Sequence, residues 1–366
     1  MHSFFDQVWN VETLLRRPID PASFPETRAF EAALCDCFGV REAIAVSSGT
    51  SALHCALAAL SIGPGDELLV PALAVVMSIA PVLYVGATPV FVDITPGRID
   101  FDYADLERKI TPRTKAILPV YLWGAAYTMP RLMEVATQYG LAVVEDACQA
   151  HGSTWSDRAL GTWGKVGCFS MRDGKLIATG EGGFLLTNDP HIAAFCRAFR
   201  THWGTPGDPQ RSYQRLGQNY RLSEPLAWMG RQQVEHFAQI LAHRRWQTRF
   251  LQEGVLGLSG ITVYQHEPEE HPNGFSPLLF LDKTLVGRQI ARRLAEQGVP
   301  NSVGTFGLRP AHEWPLFAAS LTEPVQTPHA QHLLSRMLAL SLLPQYTAED
   351  LLRIINIIKS ILEEEI

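Results

Sequence analysis

This chain has little charge, no long apolar run and no cysteine pairing pattern, and each shortage excludes a class of protein. Charged residues fill 19% of its 366 positions and the formal net charge is −6, with no long basic run. A nucleic-acid partner is therefore not expected, because phosphate backbones are gripped by clustered Lys and Arg. The longest apolar runs, such as residues 68–76, are far short of a bilayer span. Residues 1–10 lack a basic segment followed by an apolar one, so no signal peptide and no membrane partner is expected, and the expected location is cytoplasmic. Six cysteines (Cys35, Cys37, Cys55, Cys148, Cys168, Cys196) include no C-x-x-C pair, which favours reduced thiols over disulfides or a zinc site. The twelve histidines are dispersed without an H-x-x-x-H pattern, and no structural metal is expected. Internal repeats and low-complexity segments are missing too.

What the chain does have is apolar residue at 46%, enough to bury a substantial core at a length that exceeds one typical domain. Apolar spacing predicts a helix over 25–38 closed by Gly39, a strand over 42–46 and a helix over about 52–60. Strands at 67–70, 89–92, 115–120 and 142–145 then alternate with helices at about 75–85, 103–110 and 130–139. Such alternation means βαβ units and a mainly parallel sheet, an α/β fold whose ligands collect beyond the carboxyl ends of the strands. A helix over 191–200, a loop over 201–218 and one long helix over 226–250 follow. From there the pattern changes to strands near 262–264 and 277–281, an acidic loop over 266–273, a helix near 286–297 and a last helix opened by a Thr347–Asp350 capping box. The expected division is a large α/β domain over 1–245 and a smaller C-terminal α+β domain over 246–366.

Three stretches carry chemistry. Ser47-Ser48-Gly49-Thr50-Ser51 joins a strand to a helix start, where free N–H groups and the helix dipole make an anion site. An ordinary helix cap accounts for this turn equally well by itself. No G-x-G-x-x-G occurs there, which removes the main support for a dinucleotide. Glu145-Asp146-Ala147-Cys148-Gln149-Ala150-His151-Gly152 places a carboxylate just after a strand. Finally, an apolar run ends at Ser170, Lys175 follows between Gly174 and Leu176, and Gly180-Glu181-Gly182-Gly183 makes a turn. Most lysines are solvated; this one has apolar neighbours on its C-terminal side, and a desolvated amine loses its proton more readily and becomes a nucleophile towards aldehydes. A lysine that forms a Schiff base with pyridoxal phosphate needs a carboxylate for the ring nitrogen and donors for the phosphate, and the other two stretches offer both.

Those three motifs, in that order and over nearly the whole chain, resemble the DegT/DnrJ/EryC1/StrS family of pyridoxal-phosphate-dependent aminotransferases. The resemblance implies fold-type I, with Lys175 as Schiff-base nucleophile and proton carrier and Asp146 beside the pyridine nitrogen. It further implies Gln149 at the ring hydroxyl, and Gly49, Thr50 and Ser170 at the phosphate. The stretch Asn219-Tyr220-Arg221 resembles the family segment that reaches the neighbouring subunit's phosphate, which implies a homodimer with Asn219, and less directly Arg221, acting across the interface. Glutamate or glutamine is the implied amino donor, and a nucleotide-linked keto sugar or a keto-cyclitol the implied acceptor. Three departures bear on the site: Val75 stands where many relatives have an aromatic residue over the ring, and Tyr121 and Trp123, then His312, replace residues on the acceptor side. A lyase, dehydratase or cyclase on the same fold, or a regulatory cofactor-binding member, are the alternative readings.

Overall fold

The computed structural model describes residues 24–203, 215–282, 285–319 and 324–365. Helix α1 (Pro25–Phe38) starts on a proline, which suits the first turn, and ends where Gly39 adopts φ 65° and its N–H returns to the Cys35 carbonyl. Strand β1 (Glu42–Val46) leads into α2 (Gly49–Ala59). This helix begins three residues before the expected start, because Ser48 is its cap: the Ser48 hydroxyl accepts the Ser51 N–H at 3.0 Å. The chain continues through β2 (Glu67–Pro71), α3 (Val76–Tyr84), β3 (Thr88–Val92), α4 (Tyr103–Arg108), β4 (Thr114–Ile117), α5 (Met129–Gln138) and β5 (Ala142–Asp146). Two short strands, β6 (Thr154–Trp155) and β7 (Arg158–Ala159), precede β8 (Val166–Ser170), β9 (Gly183–Thr187) and α6 (Pro190–Phe199). Most of the loop expected over 201–218 lies outside the described residues.

Among the described residues, seven of these strands form one sheet in the order β1-β9-β8-β5-β4-β2-β3. Neighbours from β8 to β3 pair in parallel, and only β9 runs against the rest. Side chains alternate across it: Ala43, Ala45, Leu69, Val143, Phe169 and Leu186 enter one core with Phe30, Leu132 and Phe237. Ile44, Val46, Leu68, Val144, Cys168 and Leu185 enter the other with Leu53, Ile79 and Ile192. A strand has a side-chain period of two, so both faces are covered and every strand carries apolar residues to both sides. No helix among the described residues is long and apolar enough to cross a membrane, and no group of three or more metal-ligating side chains occurs there.

The long helix expected over 226–250 is two helices, α7 (Glu224–Glu235) and α8 (Phe237–Val255), broken at His236 (φ −112°). The break needs no proline or glycine: the His236 N–H closes onto the Gln233 carbonyl three residues back, and its ring nitrogen meets the Gln232 carbonyl at 2.8 Å. Helix α8 runs on past residue 245 into a separate core built from Leu251, Val255, Ile290, Leu294, Leu338 and Ile358. That core lies between β10 (Ile261–Val263), β12 (Leu278–Leu281) and β13 (Met337–Ala339), paired β10-β12-β13, and the helices α9 (Gly287–Glu296) and α10 (Ala348–Glu365). Thr347 and Asp350 open α10 with reciprocal capping bonds of 2.8 and 3.3 Å. The acidic loop over 266–273 contains β11 (Glu270–His271), which pairs back onto β6.

Tyr121 is a correction to the sequence reading. Its side chain is 1% exposed in the first core, and its hydroxyl donates to Glu145 Oε2 at 2.7 Å, so it cannot face an acceptor. The Tyr121 N–H bonds the Asp146 carbonyl at 3.0 Å and carries the β4–β5 pairing one step further, which turns the ring away from the strand ends. Tyr121→Phe is expected to cost about 1–3 kcal/mol in a urea unfolding experiment, the price of removing a donor from a buried carboxyl, while catalytic turnover stays near wild type.

Candidate active site

The site assembles where β1, β5 and β8 end, because parallel strands bring their carboxyl ends to one edge. Ser48 and Gly49 follow β1, Asp146 ends β5, and Ser170 ends β8. Gly49 seats the three together. A Cβ built on it would lie 2.7 Å from Cys148 Sγ and 2.9 Å from Ser170 Cβ, so only glycine lets α2 start this close. A Cβ on Gly183, opposite Ser170 in β9, would meet the Ser48 backbone at 2.4 Å. With the Ser51 N–H occupied by its cap, helix geometry leaves the N–H groups of Gly49 and Thr50 without intrahelical partners. These donors, the Thr50 hydroxyl and the partly exposed Ser170 lie in one corner, the arrangement that could hold an anion.

Lys175 sits on a loop closed by a bridge between Arg172 and Gly180. Gly174 before it adopts φ 89°, a conformation that strains any other residue. After it, Gln233 of α7 clamps Ala178 at both ends, accepting its N–H at 2.9 Å and donating to its carbonyl at 2.6 Å. The amine lies 5.0 Å from the centroid of the Phe275 ring. Burial lowers its pKa; the Asp146 carboxylate opposes that shift, and Arg172 adds to it. The Cys148 thiol is itself pushed well up by burial and by Asp146, and so stays neutral. Asp146 is 3% exposed, and one of its oxygens accepts the Cys148 N–H at 3.0 Å.

The remaining expected residues fall into two groups. Gln149 is near: its Oε1 accepts the backbone N–H of Trp123 at 2.6 Å. Trp123 itself holds a left-handed φ of 60°, while its indole is buried in a fourth core with Leu278, Leu308 and Leu333. Its contribution here is therefore a backbone donor, which corrects the expectation of a side chain on the acceptor. Val75 precedes α3 and packs on that same core. His312 is the larger correction, since it stands on a 3-10 turn (Ala311–Glu313) with its ring 5.8 Å from Phe91 of the edge strand β3. Three strand spacings, about 14 Å, separate β3 from β5. Burial also lowers the His312 pKa. Asn219 and Arg221 are exposed on either side of Tyr220, whose carbonyl accepts the Ser47 N–H at 2.8 Å and whose hydroxyl bonds His54 of α2.

Sequence reasoning missed Gln233, Phe275, Asn273 and the buried His151. An Asn273-Gly274 pair reads as a turn, and nothing in its neighbourhood shows that the turn lands beside residue 149. His151 is 0% exposed, set edge-on to Phe169 and Phe184, and burial pushes its pKa down to about 3.

The model of the DegT/DnrJ/EryC1/StrS aminotransferase family matches residues 15–359. UDP-N-acetyl-3-dehydro-alpha-D-glucosamine 3-aminotransferase of Acidithiobacillus ferrooxidans is 35% identical over 93% of this chain and 90% of its own length. GDP-perosamine synthase of Caulobacter vibrioides is 46% identical, although the match spans 59% of this chain and only 58% of that protein. Among solved structures, DesV of S. venezuelae superposes with a TM-score of 0.84 at 31% identity, covering 93% of this chain and 90% of DesV.

The neutral His151 has a consequence for stability. Its folded pKa lies near 3 against an ordinary 6.5, so between those values the unfolded chain binds more protons than the folded one. Stability contributed at neutral pH is then lost as pH falls through that window. His151→Leu is expected to flatten the decline, measured as the difference in urea midpoint between pH 7 and pH 5; equal declines in both proteins would refute the assignment.

Proposed function

This chain belongs to the DegT/DnrJ/EryC1/StrS aminotransferase family and is a pyridoxal-phosphate-dependent aminotransferase, and on that premise we propose that it moves an amino group from glutamate or glutamine to a keto sugar linked to a nucleotide, or to a keto-cyclitol. One observation carries the reading: a desolvated lysine amine, a buried carboxylate and a helix N-terminus converge where β1, β5 and β8 end on one edge of the sheet. That donor set fits the cofactor at each of its functional ends. When bound, pyridoxal phosphate supplies an aldehyde for the amine and an electron-withdrawing ring.

The chain's own residues do the rest. Lys175 Nζ is both the nucleophile and the base that carries a proton at the donor's Cα, and its lowered pKa keeps more of it neutral near pH 7. Asp146 would hold the proton of the ring nitrogen, and Gln149 would meet the ring hydroxyl. Gly49 and Thr50, with the Ser170 hydroxyl, would hold the phosphate. Asn219, and with it Arg221, would reach the site of a second subunit, since both are exposed on a segment tied to the phosphate corner through Ser47. The enzyme is then a homodimer, placed in the cytoplasm. Its division at about residue 245 into a large and a small domain gives the separate core around Leu251 and Ile290 its own unit. A relative named for a UDP-linked dehydroglucosamine, and another named GDP-perosamine synthase, support the nucleotide sugar as acceptor.

An absorbance spectrum of the purified protein tests the core of this. A visible cofactor band that disappears on adding glutamate or glutamine is expected, and Lys175→Ala is expected to abolish turnover. No band after adding pyridoxal phosphate would overturn the role of Lys175, and a band indifferent to both donors would overturn the donor. For the shared site, Lys175→Ala and Asn219→Ala subunits are dissociated and mixed. Random pairing should restore about a quarter of wild-type activity, because half the dimers regain one of two sites; mixtures no better than their parents would rule the sharing out.

A further inference from the structure

We propose that Phe275 is a wall of the active site that closes over the Lys175 amine, and that Asn273 is the positioning residue that holds this wall in register with Gln149. The inference rests on Lys175 being the reactive amine. Residues 270–276 come from the second half of the chain, yet they lie on the large sheet's side because β11 pairs with β6 and Arg245 Nε holds the Pro272 carbonyl at 3.0 Å. From there the chain presents Phe275 to Lys175, with the ring centroid 5.0 Å from Nζ and the ring otherwise packed on the first core.

Asn273 is 0% exposed, and its amide group is fully engaged. Its Nδ2 donates to the carbonyls of Gln149 and His151 at 2.9 and 3.0 Å, and its Oδ1 accepts the Phe275 N–H at 2.9 Å. The Asn273 N–H reaches Ser153 Oγ at 3.0 Å, and that hydroxyl donates to the Gly124 carbonyl at 2.8 Å. Gly124 (φ 81°) has no room for a side chain: a Cβ there would lie 2.3 Å from Asn273 Oδ1. One side chain thus fixes the spacing between Phe275, the Gln149–Ser153 loop and the turn at Trp123, whose N–H orients the Gln149 amide. Aspartate could not substitute, because it would set a second acceptor against two carbonyls.

The ring acts on the amine in two opposed ways. It excludes water, which favours the neutral form, and its π face attracts the ammonium, which favours the charged form. Where water is excluded the second effect is worth about one and a half pH units, whereas burial moves a lysine by up to about 3–5. Exclusion of water wins, so the wall keeps the amine nucleophilic. The other groups facing the amine are Asp146, Arg172 and the neutral Cys148 and His151, and none of them changes when residue 275 does.

The test uses the cofactor-free protein. Lys175 is methylated with formaldehyde and cyanoborohydride across a pH series, and the rate at that residue is read by peptide mass spectrometry. Phe275→Ala is expected to move the midpoint of the rate profile upward, towards the ordinary lysine value of 10.5, while Phe275→Tyr keeps the wild-type midpoint. Asn273→Ala, once shown to be folded by circular dichroism, is expected to move it the same way and to add nothing to Phe275→Ala in the double variant. An unchanged or lower midpoint in Phe275→Ala overturns the proposal. Trapping of pyridoxal phosphate on wild-type Lys175 by borohydride is scored separately: its failure would remove the reactive-amine reading and the wall with it, whereas success with an unmoved midpoint would remove the wall alone.

Discussion

A buried carboxyl must be surrounded by donors, and that requirement at Glu145 fixes the end of β5 on which the site is built. Glu145 is 0% exposed. It accepts from the Tyr121 hydroxyl and the Gly161 N–H, each at 2.7 Å, and from the Gly164 N–H at 2.6 Å. Burial still raises its pKa, against the pull of these donors. Both glycines are forced by space: a Cβ on Gly164 would lie 2.3 Å from the Val143 carbonyl, and one on Gly161 2.4 Å from Phe169. The turn over 161–164 is thereby pressed against β5 and delivers β8 in register, with Asp146 opposite Cys168.

Asp146 is the next residue on the same strand and so points to the other face, towards the side of the sheet that α2 covers. Adjacent carboxylates thus divide the work by pleat alone, Glu145 supporting the fold and Asp146 facing the strand ends. Register carries the rest of the site. Because Asp146 pairs with Cys168, β8 runs two residues past the end of β5, Ser170 lies against Gly49, and the loop after Ser170 returns Lys175 beside Cys148. Gln233 then keeps that loop from swinging away.

Much of this was readable from the chain. Alternating short apolar strands and helices give the sheet, and the turns after three strands give Gly49, Asp146 and Lys175, because local spacing dictates both. What was not readable depended on partners distant in sequence. Tyr121 and Trp123 follow a strand end as ligand-facing residues do, and only the packing of Glu145 and Leu278 turns their side chains inward. The long helix breaks at His236, where neither glycine nor proline stands. Phe275 stands 100 positions from Lys175, just past a stretch that reads only as an acidic loop, because the β11–β6 pairing that captures it is two residues long.

The wall and the missing ring stack are connected by the same logic. A site that discharges a lysine has to keep water off it, and an aliphatic Val75 committed to the fourth core offers no broad surface for that. Phe275 offers one, but from a loop that could hold it in many positions. A loop aromatic is useful at an active site only if its backbone is pinned, and Asn273 supplies that pin by spending every polar atom of its amide on neighbouring backbone. The result links the active-site wall to β12, which begins three residues after Phe275, and through it to the separate core beyond α8.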